Sequence, residues 1–170
     1  MPAGSPNARE IVLRRTLPGD LPALYEHQCD PVANALAGTK PRARDVFFAT
    51  WARHFTDPKI NARVILLDAR DGGEIVGSLA CFQVQGVDGK SQDSVGYWIA
   101  RPYWGQGIAS RALAMFLREE ARRPLHATAC RANAASLRIL EKCAFRCTGV
   151  RRGEETDRFV PREIAEFVLE

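Results

Sequence analysis

A single mixed α+β domain on a mostly antiparallel sheet is the fold class that these 170 residues predict. Three observations carry that reading. Extended apolar runs and helically spaced apolar residues alternate from Glu10 to Leu169, with no linker, internal repeat or low-complexity stretch between them. The runs Ala62–Asp68, Glu74–Gln85 and one ending at Ile99 follow one another across Gly-bearing turns, the pattern of an antiparallel meander. The helix that begins at Gly107 then separates two strands, and such a crossover makes those strands parallel.

Each element has its own signal. Glu10–Arg15 is β-like, and Leu17–Gln28 carries Leu17, Leu21, Leu24 and Tyr25 at helical spacing, with Pro18 tolerated in the first turn. Cys29–Lys40 is small and irregular. Arg42–Phe55 reads as a second helix bearing Val46, Phe47, Trp51 and Phe55. Asp71-Gly72-Gly73 joins the first two strands of the meander, and Gly86–Ser91 leads into the third. The helix over Gly107–Arg122 buries Ile108, Leu113, Phe116 and Leu117 and stops before Pro124. Leu125–Cys130 is the parallel strand, Asn133–Cys143 a helix with Leu137, Ile139 and Leu140 on its apolar side, and Phe145–Arg151 and Arg162–Leu169 close the sheet.

Composition bounds the function. At 46% hydrophobic and 26% charged, the chain buries a sizeable core without disulfides or metal. Residues 10–170 form one domain, and residues 1–9 are expected to be a flexible segment. No run of about 20 apolar residues is present, as a membrane span requires, and Met1–Glu10 is polar and Pro/Gly-rich rather than a signal peptide, so the cytoplasm is the expected location. The five cysteines show no CxxC pair and His27, His54 and His126 lack ligand spacing, so neither disulfides nor a metal are expected. The net charge of +4 comes from scattered arginines, so nucleic acid is not an expected partner.

The most informative stretch is VGYWIARPYWGQGIAS, Val95–Ser110. A strand breaks into a turn with glycines at 105 and 107 and opens a helix, whose first N–H groups lack internal partners and lie at the positive end of its dipole. That order builds a cradle for phosphate. It has no lysine followed by Ser or Thr, so it is not a nucleoside-triphosphate loop, and it lacks the third glycine and the acidic residue of a dinucleotide fingerprint.

Together with NAASLRILEKCAF at Asn133–Phe145, the block GYWIARPYWGQGIAS at Gly96–Ser110 resembles the GNAT superfamily of acetyl-CoA-dependent N-acetyltransferases, particularly the branch of ribosomal-protein N-terminal (alanine) acetyltransferases. The resemblance implies a GNAT-like fold of about seven mostly antiparallel strands, splayed into a V between strands four and five and flanked by about four helices. It implies acetyl-CoA as co-substrate and no metal. Tyr97, Trp98 and Ile99 would line the pantetheine arm, Gly105, Gln106, Gly107, Ile108, Ala109 and Ser110 would present N–H groups to the pyrophosphate, and Asn133 would reach the pantetheine amides. The partner would be a peptide N-terminus or small-molecule amine, chosen by the Cys29–Arg44 region and the Gly153–Pro161 loop, whose Glu154, Glu155 and Asp157 would attract a cation. A monomer and a homodimer both remain open, as does a longer acyl donor.

Departures from the family pattern leave acid and base undecided. Leu140 stands where many members have a tyrosine acid, Ala144 replaces a common glycine, and Ser94 replaces a carboxylate before the Gly-Tyr of the fourth strand. The catalytic candidates are Ser136, Asp93 and Glu26, with His27 and Glu154 as further bases; taken alone, Ser136 suits a helix-start hydroxyl bonded to backbone better than it suits catalysis. Two functions therefore stay open: direct acetyl transfer to a primary amine, or an inactive coenzyme A-binding sensor or interaction module. An α-amino group of pKa about 7.8 is about 14% neutral at pH 7 and a lysine amine about 0.04%, a gap of about 3.5 kcal/mol. A site poor in bases suits the α-amine.

Overall fold

The structure, a computed structural model, describes residues 9–170. The expected flexible segment lies outside the described residues up to residue 8; Arg9 is held by Asp68, whose carboxylate accepts from its Nε at 2.8 Å. Seven strands form one sheet in the order β1-β2-β3-β4-β5-β7-β6. They are β1 (Ile11–Arg15), β2 (Asn61–Leu67), β3 (Glu74–Gln85), β4 (Ser91–Ile99), β5 (Leu125–Cys130), β6 (Arg146–Arg152) and β7 (Glu163–Leu169). Every neighbouring pair is antiparallel except β4 and β5. Those two are parallel and meet at one register point, Ser94 opposite His126. Beyond it they part, so the V-shaped splay implied by the sequence is present.

Five α-helices flank the sheet: α1 (Leu21–Gln28), α2 (Pro31–Ala37), α3 (Arg44–Thr56), α4 (Ile108–Glu119) and α5 (Ala134–Lys142). The expected number was about four. The additional one is α2, in the stretch read as irregular. Asp30 caps it by accepting from the N–H groups of Val32 at 2.8 Å and Ala33 at 3.0 Å, Pro31 occupies the first turn, and Gly38 ends it at φ +68°. These end signals hold a seven-residue helix that has too little apolar periodicity to announce itself. The first helix begins later than expected, because Pro18–Asp20 form a 3₁₀ turn, braced by Asp20 accepting from the Leu17 N–H at 2.7 Å and from Arg14 at 2.8 Å.

Alternation along β2 sorts the core into two layers. Val64 packs with Leu21, Leu24 and Phe47, whereas Ile65 and Leu67 pack with Ile108, Leu113, Phe116 and Leu140. Helices α1 and α3 thus cover one face, α4 and α5 the other. On β4, Val95, Tyr97 and Ile99 join the α4/α5 layer, so Ser94, Gly96 and Trp98 turn towards α1 and α3. The cysteines are free; Cys81 and Cys130 are buried, but Cys147 is exposed rather than in the core.

At the base of the fork, α4 ends at Glu119, short of the expected Arg122, and the next residue turns inward. The Glu120 carboxylate accepts from Arg122 Nη2 at 2.8 Å and Asn61 Nδ2 at 2.9 Å, tying the end of α4 to the start of β2. The Arg122 guanidinium holds the Glu120 carboxyl at about 2, down from its ordinary 4.5. A carboxyl depressed by folding stabilises the native state above its unfolded pKa, and that contribution fades as pH falls towards the folded value. Denaturation midpoints should therefore drop between about pH 4.5 and 2, and E120Q should flatten that part of the acid slope. A second constraint lies higher in the fork: a Cβ on Gly77 would sit 2.3 Å from the Trp98 carbonyl oxygen and 2.9 Å from Ile99 Cδ1. Gly77→Ala should cost about 1–3 kcal/mol by urea unfolding, because β3 cannot approach β4 without prying it aside.

Candidate active site

The Gly-bearing loop read as an anion cradle begins where β4 ends. A 3₁₀ turn, Arg101–Tyr103, carries the chain from Ile99 to Trp104, whose indole donates to the Ile99 carbonyl at 2.8 Å. Trp104 is 38% exposed, so it buttresses the loop from outside the core. Gly105 and Gly107 have φ of +75° and +68°, a region that L side chains enter only with strain, and open space lies where their Cβ atoms would be. From Gly105 through Gln106, Gly107, Ile108 and Ala109 to Ser110, the backbone N–H groups meet no acceptor among the described residues. Helical bonding begins only at Arg111, whose N–H donates to the Gly107 carbonyl at 3.2 Å. Consecutive free donors thus surround two left-handed glycines at the start of a twelve-residue helix, where its dipole is positive.

The fork itself is lined by β4 and α5. The Ala100 N–H donates to the Val76 carbonyl of β3 at 2.8 Å. Alternation then aims the Ile99 N–H the other way, into the gap that β5 vacates. Tyr97 lies on the α4/α5 face, and its hydroxyl reaches across to Ser136, 2.7 Å from the Oγ and 3.2 Å from the carbonyl oxygen, to which it donates. Burial pushes the Tyr97 phenol up to about 12, partly offset by the Ser136 hydrogen bond. Asn133 caps α5, its Oδ1 accepting from the Ser136 N–H at 3.1 Å. Its amide nitrogen keeps both hydrogens free among the described residues. Ser136 is therefore more than a helix-start hydroxyl: it joins α5 to β4 across the fork.

Other candidates are not gathered there. Trp98 turns to the opposite face, where its indole donates to the His27 carbonyl at 3.1 Å, so its side chain does not lie beside Tyr97. Asp93 sits below the fork, held by Arg122 at 3.4 Å and facing Gln83. Glu26 is exposed on the last turn of α1, and no hydrogen bond connects it to Ser136 among the described residues. Leu140, standing where the family often has tyrosine, is sealed in the core. On the Trp98 face, a hollow of about 180 Å³ lies between Trp51 of α3 and the strand residues Ser78, Ala80, Gly96 and Trp98. His27 lies near its rim with Nδ1 buried and unpartnered, and burial lowers its pKa against the opposing pull of Glu74 and Glu26.

Sequence reasoning passed over Arg111 and Arg101. Arg111 folds beside the cradle, donating to the Gly107 carbonyl at 3.4 Å and the Arg9 carbonyl at 2.8 Å. Arg101 pairs with Asp30 at 2.8 Å and so locks the loop after β4 to the start of α2. Nothing in their spacing announces either contact, which joins segments far apart in the chain.

A sheet that forks between two parallel strands, with an open anion cradle at the mouth of the fork, is the GNAT architecture. Residues 10–146 match the acetyltransferase (GNAT) domain family, and the chain belongs to it. Solved structures agree in fold. Spermidine N-acetyltransferase from Vibrio cholerae, in complex with CoA and spermine, superposes with a TM-score of 0.79 at 14% identity over 96% of each chain. RimJ from Mycobacterium smegmatis, in complex with CoA-disulfide, gives 0.71 at 23% identity over 95% of this chain and 82% of that one. RimL, a ribosomal L7/L12 alpha-N-protein acetyltransferase in complex with coenzyme A, gives 0.71 at 16% identity over 94% and 93%. No curated protein matches the chain in sequence. Among the described residues no helix is long and apolar enough to cross a membrane.

The buried Tyr97 phenol gives the site a spectroscopic handle. In an absorbance titration Tyr97 should be the last of the three tyrosines to ionise, and Tyr97→Phe should remove only that highest step.

Proposed function

We propose that this protein transfers an acetyl group from acetyl-CoA directly to a primary amine of low pKa, a peptide N-terminus in the preferred case. The observation that carries this reading is the fork: β4 and β5 meet once, the Ile99 N–H points into the gap, and free N–H groups from Gly105 to Ser110 surround its mouth. The residues present suit a diphosphate-bearing thioester. Six backbone donors match diphosphate oxygens, each charge-assisted bond contributing on the order of 1.5–3 kcal/mol, and Arg111 stands beside them. The Asn133 amide hydrogens, unpaired among the described residues, are available to an amide-bearing arm laid along Tyr97 and Ile99. When bound, the co-substrate supplies the activated acyl carbon.

The chain's own groups then divide the work. The Ile99 N–H is placed to receive the developing oxyanion, a donor fixed by β4 and needing no reorganisation. The Ser136 hydroxyl, 2.7 Å from the Tyr97 oxygen, is placed to take the proton that the attacking nitrogen releases as it passes its own to the departing thiolate. Tyr97 backs it as a reserve proton kept in place by burial. No carboxylate joins this pair, and Asp93 is engaged with Arg122. A neutral amine must therefore arrive largely deprotonated, which favours an α-amine over a lysine side chain.

The test is acetyl transfer with a free-thiol readout, on matched peptides offering an α-amine or a lysine side chain at pH 7, together with calorimetric titration of acetyl-CoA. The expected results are a saturable heat, faster turnover of the α-amine, and a loss of about 100-fold in kcat for Ser136→Ala with the acetyl-CoA affinity retained. Binding without turnover of any amine would make the protein a coenzyme A sensor instead; absence of binding would end the reading.

A further inference from the structure

On the α1/α3 side of the sheet, two abutting loops carry guanidinium groups that lack acidic partners among the described residues. Arg42 lies between α2 and α3, and Arg158 in the β6–β7 loop. The two segments are stitched together: the Lys40 N–H donates to the Arg158 carbonyl at 2.7 Å, the Val160 N–H to the Gly38 carbonyl at 3.0 Å, and Thr39 bridges to Phe159. Arg158 Nη1 donates back to the Lys40 carbonyl. Gln28 clamps the Arg42 backbone from both sides, accepting from its N–H at 2.7 Å and donating to its carbonyl at 3.0 Å. The residue before Gln28 is His27, whose carbonyl receives the Trp98 indole. Adjacent residues of α1 thus fix both the end of β4 and the position of Arg42.

Neither guanidinium meets a carboxylate among the described residues. Burial alone lowers the pKa of Arg42; burial and then the charge of Arg42 lower that of Arg158 to about 10. His54, packed edge-on to Trp51 at 5.3 Å, is also lowered by burial and then by Arg42. The nearby acids do not compensate. Glu155 is taken by Lys40 at 2.8 Å, while Glu154 and Asp157 stand exposed, in no ion pair or hydrogen bond among the described residues. The side chain of Arg42 donates no hydrogen bond among the described residues, and neither its nitrogens nor Nε and Nη2 of Arg158 are sealed from solvent. Two half-buried like charges on abutting segments, with no carboxylate between them among the described residues, favour an anion that joins them. The planar donor fork of arginine matches carboxylate and phosphate oxygens.

Building on the acetyltransferase reading, we infer that the acceptor amine carries an anionic group, a carboxylate or a phosphate, which Arg42 and Arg158 grip together while the amine enters the fork beside Trp98. A polycationic acceptor is excluded by the same pair. The acidic residues of the β6–β7 loop, expected to draw a cation to this mouth, are outweighed there by the arginines behind them.

The experiment uses tetrapeptide amides with a free N-terminus, carrying glutamate or phosphoserine at the second or third position, against glutamine, serine and lysine versions. Free-thiol release gives kcat/KM, and calorimetry on the CoA-bound protein measures the N-acetylated, unreactive forms. An acidic acceptor should exceed its neutral isostere by about 10-fold or more in kcat/KM and affinity, with the lysine version poorest. Arg42→Gln, which leaves the Gln28 clamp on the backbone intact, should bring the acid-to-amide ratio close to one, and Arg158→Gln should do the same. Whether glutamate or phosphoserine gains more identifies the anion. Equal use of acidic and neutral acceptors, or an acid preference that survives both substitutions, would overturn the inference while leaving acetyl transfer standing. Acid-selective binding without transfer would uphold the anion grip and refute the transferase.

Discussion

One parallel contact organises the molecule. Ser94 and His126 are the register pair at which β4 and β5 meet, and the Ser94 hydroxyl adds a hydrogen bond to the His126 carbonyl at 3.1 Å. Below it Arg122, on the segment that leads into β5, donates to Asp93 of β4 at 3.4 Å; above it the strands part. A longer ladder would have consumed the Ile99 N–H and closed the gap between Tyr97 and β5. A missing contact would have split the sheet into two halves. The backbone donors at the top of β4 are thus left free because the strand pairing stops where it does.

The fork stays open without sacrificing the core because its two edges are braced by different partners. Antiparallel β3 follows β4 up to Ile99, with Gly77 giving the clearance that the Trp98 carbonyl and Ile99 side chain require. Antiparallel β7 follows β5 from Leu125 to Cys130. Each arm is therefore a fully bonded sheet edge, and the Tyr97–Ser136 hydrogen bond is a side-chain bridge over the gap. Such a bridge resists collapse while keeping polar atoms in the opening, where an apolar filling would expel any amide-bearing ligand.

Much of this was legible in the sequence, and for physical reasons. Period-2 runs, Gly-bearing turns and the helix of Ile108, Leu113 and Phe116 fix strand and helix bounds within about three residues, since apolar periodicity and burial coincide there. The cradle was legible because positive φ at 105 and 107 demands glycine. Helix α2 was not, because its capping residues surround a segment with little amphipathic contrast. Side-chain pairings such as Tyr97 with Ser136, or Arg101 with Asp30, join residues 39 and 71 positions apart, and no local pattern encodes them. The opposed directions of Tyr97 and Trp98 follow from strand alternation alone; grouping both along one arm overlooked that constraint.

The two faces of the sheet carry different electrostatic tasks, and this explains why the arginines lie where they do. On the α4/α5 side, negative charge would be met by backbone dipoles: the free N–H groups around Gly105 and Gly107 cost no side-chain entropy and do not titrate near neutrality. Main-chain donors suit a constant ligand, because their positions are set by φ and ψ rather than by residue identity. On the α1/α3 side, charge is supplied by Arg42 and Arg158, long side chains on loops that other loops fasten in place. Side-chain donors suit a variable ligand, because substitution changes them without disturbing the sheet. In the proposed acetyl transfer, the group common to every turnover would thus rest on the backbone, and the choice of amine on residues that the loops can exchange.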